Sequence, residues 1–275
     1  MQIPPNPAGP STPALQQAIA EIASDVIAVQ EVDYLLPRTN SVNQIAEIAT
    51  AMSATDWAFA PSVIGTPGEK WRKLNERDPR YISNSSIGDL AGSYGIAIAS
   101  NIPVIKWQRL ELGRSVIGMP LVVPTESKTS SRPKIRAIYV HDEPRVALAA
   151  TLQNGITVFN THLSFVPGVN LGQLNKLKRW AQKIAHETNT IPIILGDLNL
   201  PKGIAVIGSK WKSLVTQNTY PSWGAKIQFD YILADDLSGY QVTDRKTIKT
   251  GVSDHLPLRI ELVRTHKKFN ELGMA

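Results

Sequence analysis

The stretch IPIILGDLNLP, residues 191–201, is an apolar run that ends on Asp197 and Asn199. Other segments share the pattern of an apolar run meeting groups able to bind a metal or move a proton. VIAVQEVD brings Glu31, FNTHLSF brings His162, and VSDHLPL supplies Asp254 and His255. FDYIL sets Asp230 among Ile227, Phe229, Ile232 and Leu233, where a carboxylate requires a specific partner. Strand ends hold side chains at one rim of a sheet with little mobility, which suits chemistry that needs fixed geometry.

The residue types define that chemistry. Hard divalent ions prefer carboxylate oxygen, so Glu31 and Asp254 are the candidate metal ligands. A water attacking phosphorus needs a base, a role that fits Asp197, and Asn199 offers a neutral donor for a phosphate oxygen or the nucleophile. His162 and His255 are donors for non-bridging phosphate oxygens, with Asp230 placed to fix the tautomer and charge of His255. Each residue alone has a plainer explanation. Glu31 reads equally as a surface carboxylate, Asp197 as a turn residue, His162 as a structural histidine, and Asp254–His255 as a cap before the last strand. Their joint occurrence favours a phosphoryl site.

The elements needed to position these groups are legible as periodicities. Residues 13–24, about 42–53 and 170–187 have helical spacing, the last with Leu171, Leu174, Leu177, Trp180 and Ile184 on one face. Strands are expected at 25–30, 94–100, 104–112, 145–152, 156–163, 191–195, 227–234 and 256–263. Polar loops are expected over 61–93 and about 122–135. Many strands with few helices imply two packed sheets with helices outside. The division expected is an irregular segment 1–12, one domain over 13–263 and a polar tail 264–275.

Composition narrows the field further. The 275 residues are 43% hydrophobic, enough for a sizeable core, and contain no cysteine, which excludes disulfides, thiolate metal sites and thiol nucleophiles. No apolar run approaches the roughly 20 residues of a membrane span, and MQIPPNPAGPSTP lacks the pattern of a secretory leader, so a cytoplasmic protein is expected. The net charge of +6 favours anionic partners, nucleic acid among them. Arg38, Lys70 and Arg72 are candidate substrate-binding cations, whereas Arg145 has Glu143 near it as a partner. Trp71 and Trp223 either stack on bases or cover a sheet edge.

Taken in order, QEVD, YGIAIASNIPV, NTHL, GDLNLP, FDYIL and SDHLPL resemble the endonuclease/exonuclease/phosphatase superfamily, over about residues 13–263. The resemblance implies an α+β fold, a four-layer α/β/β/α sandwich of two mixed sheets as in deoxyribonuclease I. It also implies Mg²⁺- or Mn²⁺-dependent cleavage of phosphate esters. Glu31 then matches the metal-binding glutamate and Asp254 a ligand on the second side. Asp197 matches the residue that activates water, and Asn199 the one that orients water or phosphate. His255, supported by Asp230, matches the phosphate-contacting histidine. His162 matches the threonine–histidine element of the deoxyribonuclease I, sphingomyelinase, deadenylase and inositol-phosphatase branches, away from abasic-site repair. The family opens with a strand bearing a metal-site asparagine, for which Asn6, set between prolines, is a poor substitute. The fold is expected to lack that strand, with weakened metal binding and stability, unless the true start lies upstream. The resemblance favours a phosphodiesterase or nuclease; a phosphomonoesterase, a lipid-headgroup phosphodiesterase and a catalytically silent phosphate-binding module are the alternatives.

Overall fold

The computed structural model describes residues 11–86, 88–125, 134–201 and 203–265, with side chains left undescribed over 121–125 and 134–138. Asn6 and most of the expected tail lie outside the described residues. Among the described residues there are three α-helices, α1 (Thr12–Ile22), α2 (Gln44–Met52) and α3 (Val169–Thr188). The first sheet is built from β1 (Val26–Tyr34), β2 (Asp56–Gly65), β3 (Trp71–Arg72), β4 (Ile82–Ser83) and β5 (Ser93–Ser100). Its order is β1-β5-β2-β3, with β4 also on β2, and every pairing is antiparallel. The second sheet uses β6 (Val104–Gly113), β9 (Arg145–Leu152), β10 (Ile156–His162), β11 (Ile191–Asp197), β12 (Lys212–Ser213) and β13 (Asp230–Ala234). It runs β12-β13-β11-β10-β9-β6, and β10 lies parallel to β11 while the other pairs are antiparallel. β7 (Met119–Thr125) pairs with β8 (Lys134–Val140), and β14 (Tyr240–Thr247) with β15 (Leu258–Arg264).

Alternation along the strands fills three apolar layers. Ile27, Val29, Trp57, Phe59, Ala97 and Ala99 face Leu15 and Ile19 of α1 and Ile45 and Ile48 of α2. Residues one position away, Ala58, Ala60, Ile96 and Ile98, meet Leu148, Val158, Ile193 and Ile232 between the sheets. Phe159, Ile194 and Leu233 then pack outward onto Leu174, Leu177, Ala181 and Ile184 of α3. The result is the expected order of helices, sheet, sheet and helix. Both faces of β9 and β10 are covered, which is why these strands are buried throughout. On α3, Leu171 is exposed while the polar Asn170 and Gln173 are buried, so the apolar stripe is narrower at that end than its spacing suggests.

Two expected loops contain strands. β2 occupies the start of the 61–93 stretch: Pro61 sits at a register shift between Pro61 and Val63, and the irregularity lets a proline stand inside a sheet. The 122–135 stretch overlaps the β7–β8 pair. β14, with alternate residues half-buried, carries too much charge in YQVTDRKT to stand out by composition. Among the described residues β1 borders one strand only, and a cavity of about 450 Å³ opens between it, the inner face of the second sheet and β15. No helix among the described residues is long and apolar enough to cross a membrane.

Phe159 is fully buried and meets Trp180 edge-on at 5.3 Å. Phe159→Ala is expected to cost about 3–5 kcal/mol in urea unfolding, because α3 and the second sheet cannot close the space. A loss below about 1 kcal/mol would show that this layer repacks freely.

Candidate active site

Strand register assembles the centre of the site. His162 on β10 is opposite Asp197 on β11, and Asp197 is opposite Asp230 on β13. Residues opposite one another share a face of the sheet. The three therefore form a row on the inner face, continuing the side on which Val158, Ile193 and Ile232 pack. Gly196 makes this possible: it has φ +143°, and a Cβ there would stand 1.9 Å from the Thr161 carbonyl oxygen. Only glycine fits where β10 and β11 approach this closely.

Asp197 is held from its own turn, the Asn199 backbone N–H donating to Oδ1 at 2.8 Å. Its Oδ2 lies 3.6 Å from His162 Nε2 and 3.9 Å from His255 Nε2. Asn199, at φ +49°, donates its side-chain amide to the Leu163 carbonyl at 3.0 Å, and its own carbonyl accepts from Asn170. One of its two side-chain N–H groups is thus engaged with backbone, and its main-chain N–H holds Asp197.

His255 arrives from the segment before β15, its Nδ1 2.7 Å from Asp230 Oδ2 and its ring 4.9 Å from that of Tyr220. The segment is fastened by Ser222, whose N–H and hydroxyl donate to the carbonyls of Asp254 and Ser253, and by the Leu256 N–H donating to Thr219. Asp230, expected inside a strand, instead heads β13, where its carboxylate reaches this loop.

Glu31 was expected just after a strand but lies within β1, where a bulge decides its direction. Val29 is opposite Ala97 and Val32 opposite Gly95, so Gln30 and Glu31 together face Ile96. Glu31 takes φ +55°. Without the bulge, alternation would send Glu31 to the helix side with Ile27 and Val29. With it, Gln30 and Glu31 both line the inter-sheet cavity, and Val32 returns to the helix side. The same cavity is lined by Asp197, Asp230, Asp254 and His255.

Burial and charge set the protonation of these groups. Burial raises the Asp197 pKa, with Asp230 and Glu31 adding to the rise and His255 opposing it. Burial, helped by the Arg145 charge, lowers His162 to about 3, so it is neutral at pH 7. Burial also acts to lower His255, but the carboxylates of Asp230, Asp197 and Asp254 outweigh it and bring the group to about 10. Asp254 is raised by burial. Burial opposes the charge of Glu31, yet surrounding positive charge, including His255 and Arg145, keeps it below the usual carboxylate range.

Ligand atoms of Asp197, Asp230 and His255 lie within 4.8 Å of one another, a spacing able to hold a metal. Chemistry argues for a different donor set, since a protonated His255 bonded to Asp230 has no lone pair to offer. The carboxylates of Glu31 and Asp254 on the same cavity fit a hard cation better.

The expected anion-binding cations stand elsewhere. Arg38 forks onto Asp33 at 2.8 and 2.7 Å, Arg72 onto Asp78, and neither these nor Lys70 lines the cavity. Arg145 pairs with Asp142 at 3.3 Å as well as with Glu143 at 3.4 Å. Trp71 packs beside Leu36, Val63 and Tyr94 beneath Arg114, while Trp223 is exposed. Gln30, Asn160 and Tyr220 escaped the reading by residue type. The one signal for Asn160 was an amide within the strand ITVFNTH.

A family model described as the Endonuclease/Exonuclease/phosphatase family matches residues 7–255. No curated protein sequence matches the chain. Similar solved structures include a functionally unknown conserved protein from Enterococcus faecalis V583, at 17% identity and TM-score 0.56 over 91% of each chain. Another is the mannosyl-6-phosphatase Bt3783 from Bacteroides thetaiotaomicron VPI-5482, at 13% identity and TM-score 0.55 over 92% of this chain and 90% of that one. The human Nocturnin catalytic domain follows at 14% identity and TM-score 0.55, over 93% and 86%. At these identities the likeness is one of fold.

The His255–Asp230 pair sets a pH dependence whose sign is fixed. The folded value of about 10 lies above the ordinary 6.5. The stability it contributes is fully present below about 6.5 and lost as pH rises through about 10. In metal-free protein, the imidazole NMR signals of His255 are expected to titrate near pH 10, and in Asp230→Asn to titrate markedly lower. Unchanged titration in the variant would remove Asp230 as the cause.

Proposed function

Because the chain belongs to the endonuclease/exonuclease/phosphatase family, we propose that it is a divalent-metal-dependent phosphoester hydrolase, acting on a phosphodiester by in-line attack of water. The observation that carries this reading is the His162–Asp197–Asp230–His255 arrangement on one cavity with Glu31 and Asp254. Asp197 is the base: burial favours its protonated form, so it accepts a proton more readily than an exposed aspartate. The Asn199 N–H occupies its Oδ1 and leaves Oδ2 toward the cavity and the two histidines.

His255, charged through Asp230, donates to a phosphate oxygen on which charge grows in the transition state. His162, neutral through burial, supplies a hydrogen-bonding partner beside the base without a second positive charge. Glu31 and Asp254 would hold Mg²⁺ or Mn²⁺, which when bound polarises the phosphoryl oxygen and stabilises the leaving oxygen. Tyr220 packs against the His255 ring and limits its tilt. The net charge of +6 favours polyanionic substrates, nucleic acid foremost.

Hydrolysis of bis(p-nitrophenyl) phosphate with Mg²⁺ or Mn²⁺ against an EDTA control tests the reading. Turnover is expected only with metal, and Asp197→Asn is expected to lose about 10²-fold or more in kcat with the fold intact. Retention of more than about a tenth of the activity rejects Asp197 as the base. His255→Ala is expected to lower kcat by about 10²-fold while KM changes by less than about threefold, since the contact strengthens in the transition state. Equal activity removes His255 from the mechanism.

A further inference from the structure

Asn160 lies two residues before the end of β10 and is fully buried between the two sheets. It shares the inner face with Val158 and His162, two residues to either side. Its side-chain N–H groups donate to the carbonyl of Val29 on β1 at 2.8 Å and to that of Ala97 on β5 at 2.9 Å. Its Oδ1 accepts from the Gln30 side chain at 2.6 Å. All three contacts surround one feature. Val29 and Ala97 are the last regular pair before the bulge, and Gln30 is the first of its two residues.

We infer that Asn160 is a positioning residue for Glu31, the tie that keeps the β1 bulge on the first sheet aligned with the His162–Asp197–Asp230 row on the second. The inference rests on the proposed function, in which Glu31 serves as a metal ligand. Sheets stacked face to face normally meet through apolar side chains, which are non-directional and leave small offsets between the layers cheap. Three hydrogen bonds from one buried amide fix that offset at the point where Glu31 turns inward. A left-handed backbone at a residue with a side chain persists only where its surroundings hold it, and Asn160 supplies that hold from across the interface. An apolar residue at 160 would fill the space and release the bulge.

Two variants separate positioning from simple stability. Asn160→Leu removes all three bonds, and Gln30→Leu removes only the bond to the Asn160 oxygen. In metal-free protein well below its melting temperature, amide hydrogen exchange at residues 30–32 is expected to rise about tenfold or more in Asn160→Leu, with Ile194 and Leu177 unchanged. The Mn²⁺ dissociation constant, measured by titration calorimetry on folded protein, is expected to rise about 10- to 100-fold. kcat for bis(p-nitrophenyl) phosphate is expected to fall by a similar factor while KM holds. Gln30→Leu is expected to show the same pattern at smaller size, and it decides the question should Asn160→Leu fail to fold. A lower melting temperature with unaltered exchange at 30–32, or with an Mn²⁺ constant within about twofold of the parent, overturns the inference. A parent protein that takes up no Mn²⁺ and turns over no substrate counts against the proposed function, while the exchange measurement still decides whether Asn160 holds the bulge.

Discussion

Register between β10, β11 and β13 is the constraint on which the site depends. Side chains alternate with a period of two along a strand, so a slip of one residue on any of the three would turn its functional group to the α3 side. Two features prevent that slip. Gly196 admits the close approach of the Thr161 carbonyl, which any side chain would block. The apolar faces add a penalty for misregistry, because Val158, Ile193 and Ile232 would leave the inter-sheet layer as Phe159, Ile194 and Leu233 entered it. The geometry of this row is therefore held by the same packing that folds the chain.

Two histidines beside one carboxylate end in opposite charge states, and the reason lies in their second partners. His162 is nearly enclosed, has the Arg145 charge nearby and stands 3.6 Å from the Asp197 carboxylate, so desolvation wins. His255 stands in a slightly more open position with Asp230 at 2.7 Å, so the ion pair wins. The Asp230 charge and its short hydrogen bond, with Asp197 and Asp254 behind them, outweigh the burial that neutralises the other ring. The site thus presents one fixed positive charge and one neutral imidazole to the same cavity.

Much of this was legible from residue order. Apolar runs that end on His162 and Asp197 mark the ends of β10 and β11, and periodicity located α1, α2, α3 and the inner strands. β2 was hidden by Pro61, whose cost inside a sheet is avoided by a local register shift that composition does not show. β14 was hidden by its charges. The direction of Glu31 could not be read from alternation, because alternation assigns it to the wrong face and only the bulge corrects it. Asn160 was visible only as an oddity, since the carbonyls it binds lie more than 60 residues away in sequence. Arg38 and Arg72 each fork onto a nearby aspartate, a pairing that residue type alone does not show.

The β14–β15 pair joins neither large sheet by strand pairing among the described residues. It is held by the packing of Leu258, Ile260 and Leu262 on the inter-sheet layer, by the ties to Thr219 and Ser222, and by His255 on Asp230. Asp254 travels with this unit, so its docking and ligand capture by the cavity are thermodynamically linked. Anything that binds through Asp254 strengthens the seating of the pair, and better seating raises affinity for that ligand by the same factor.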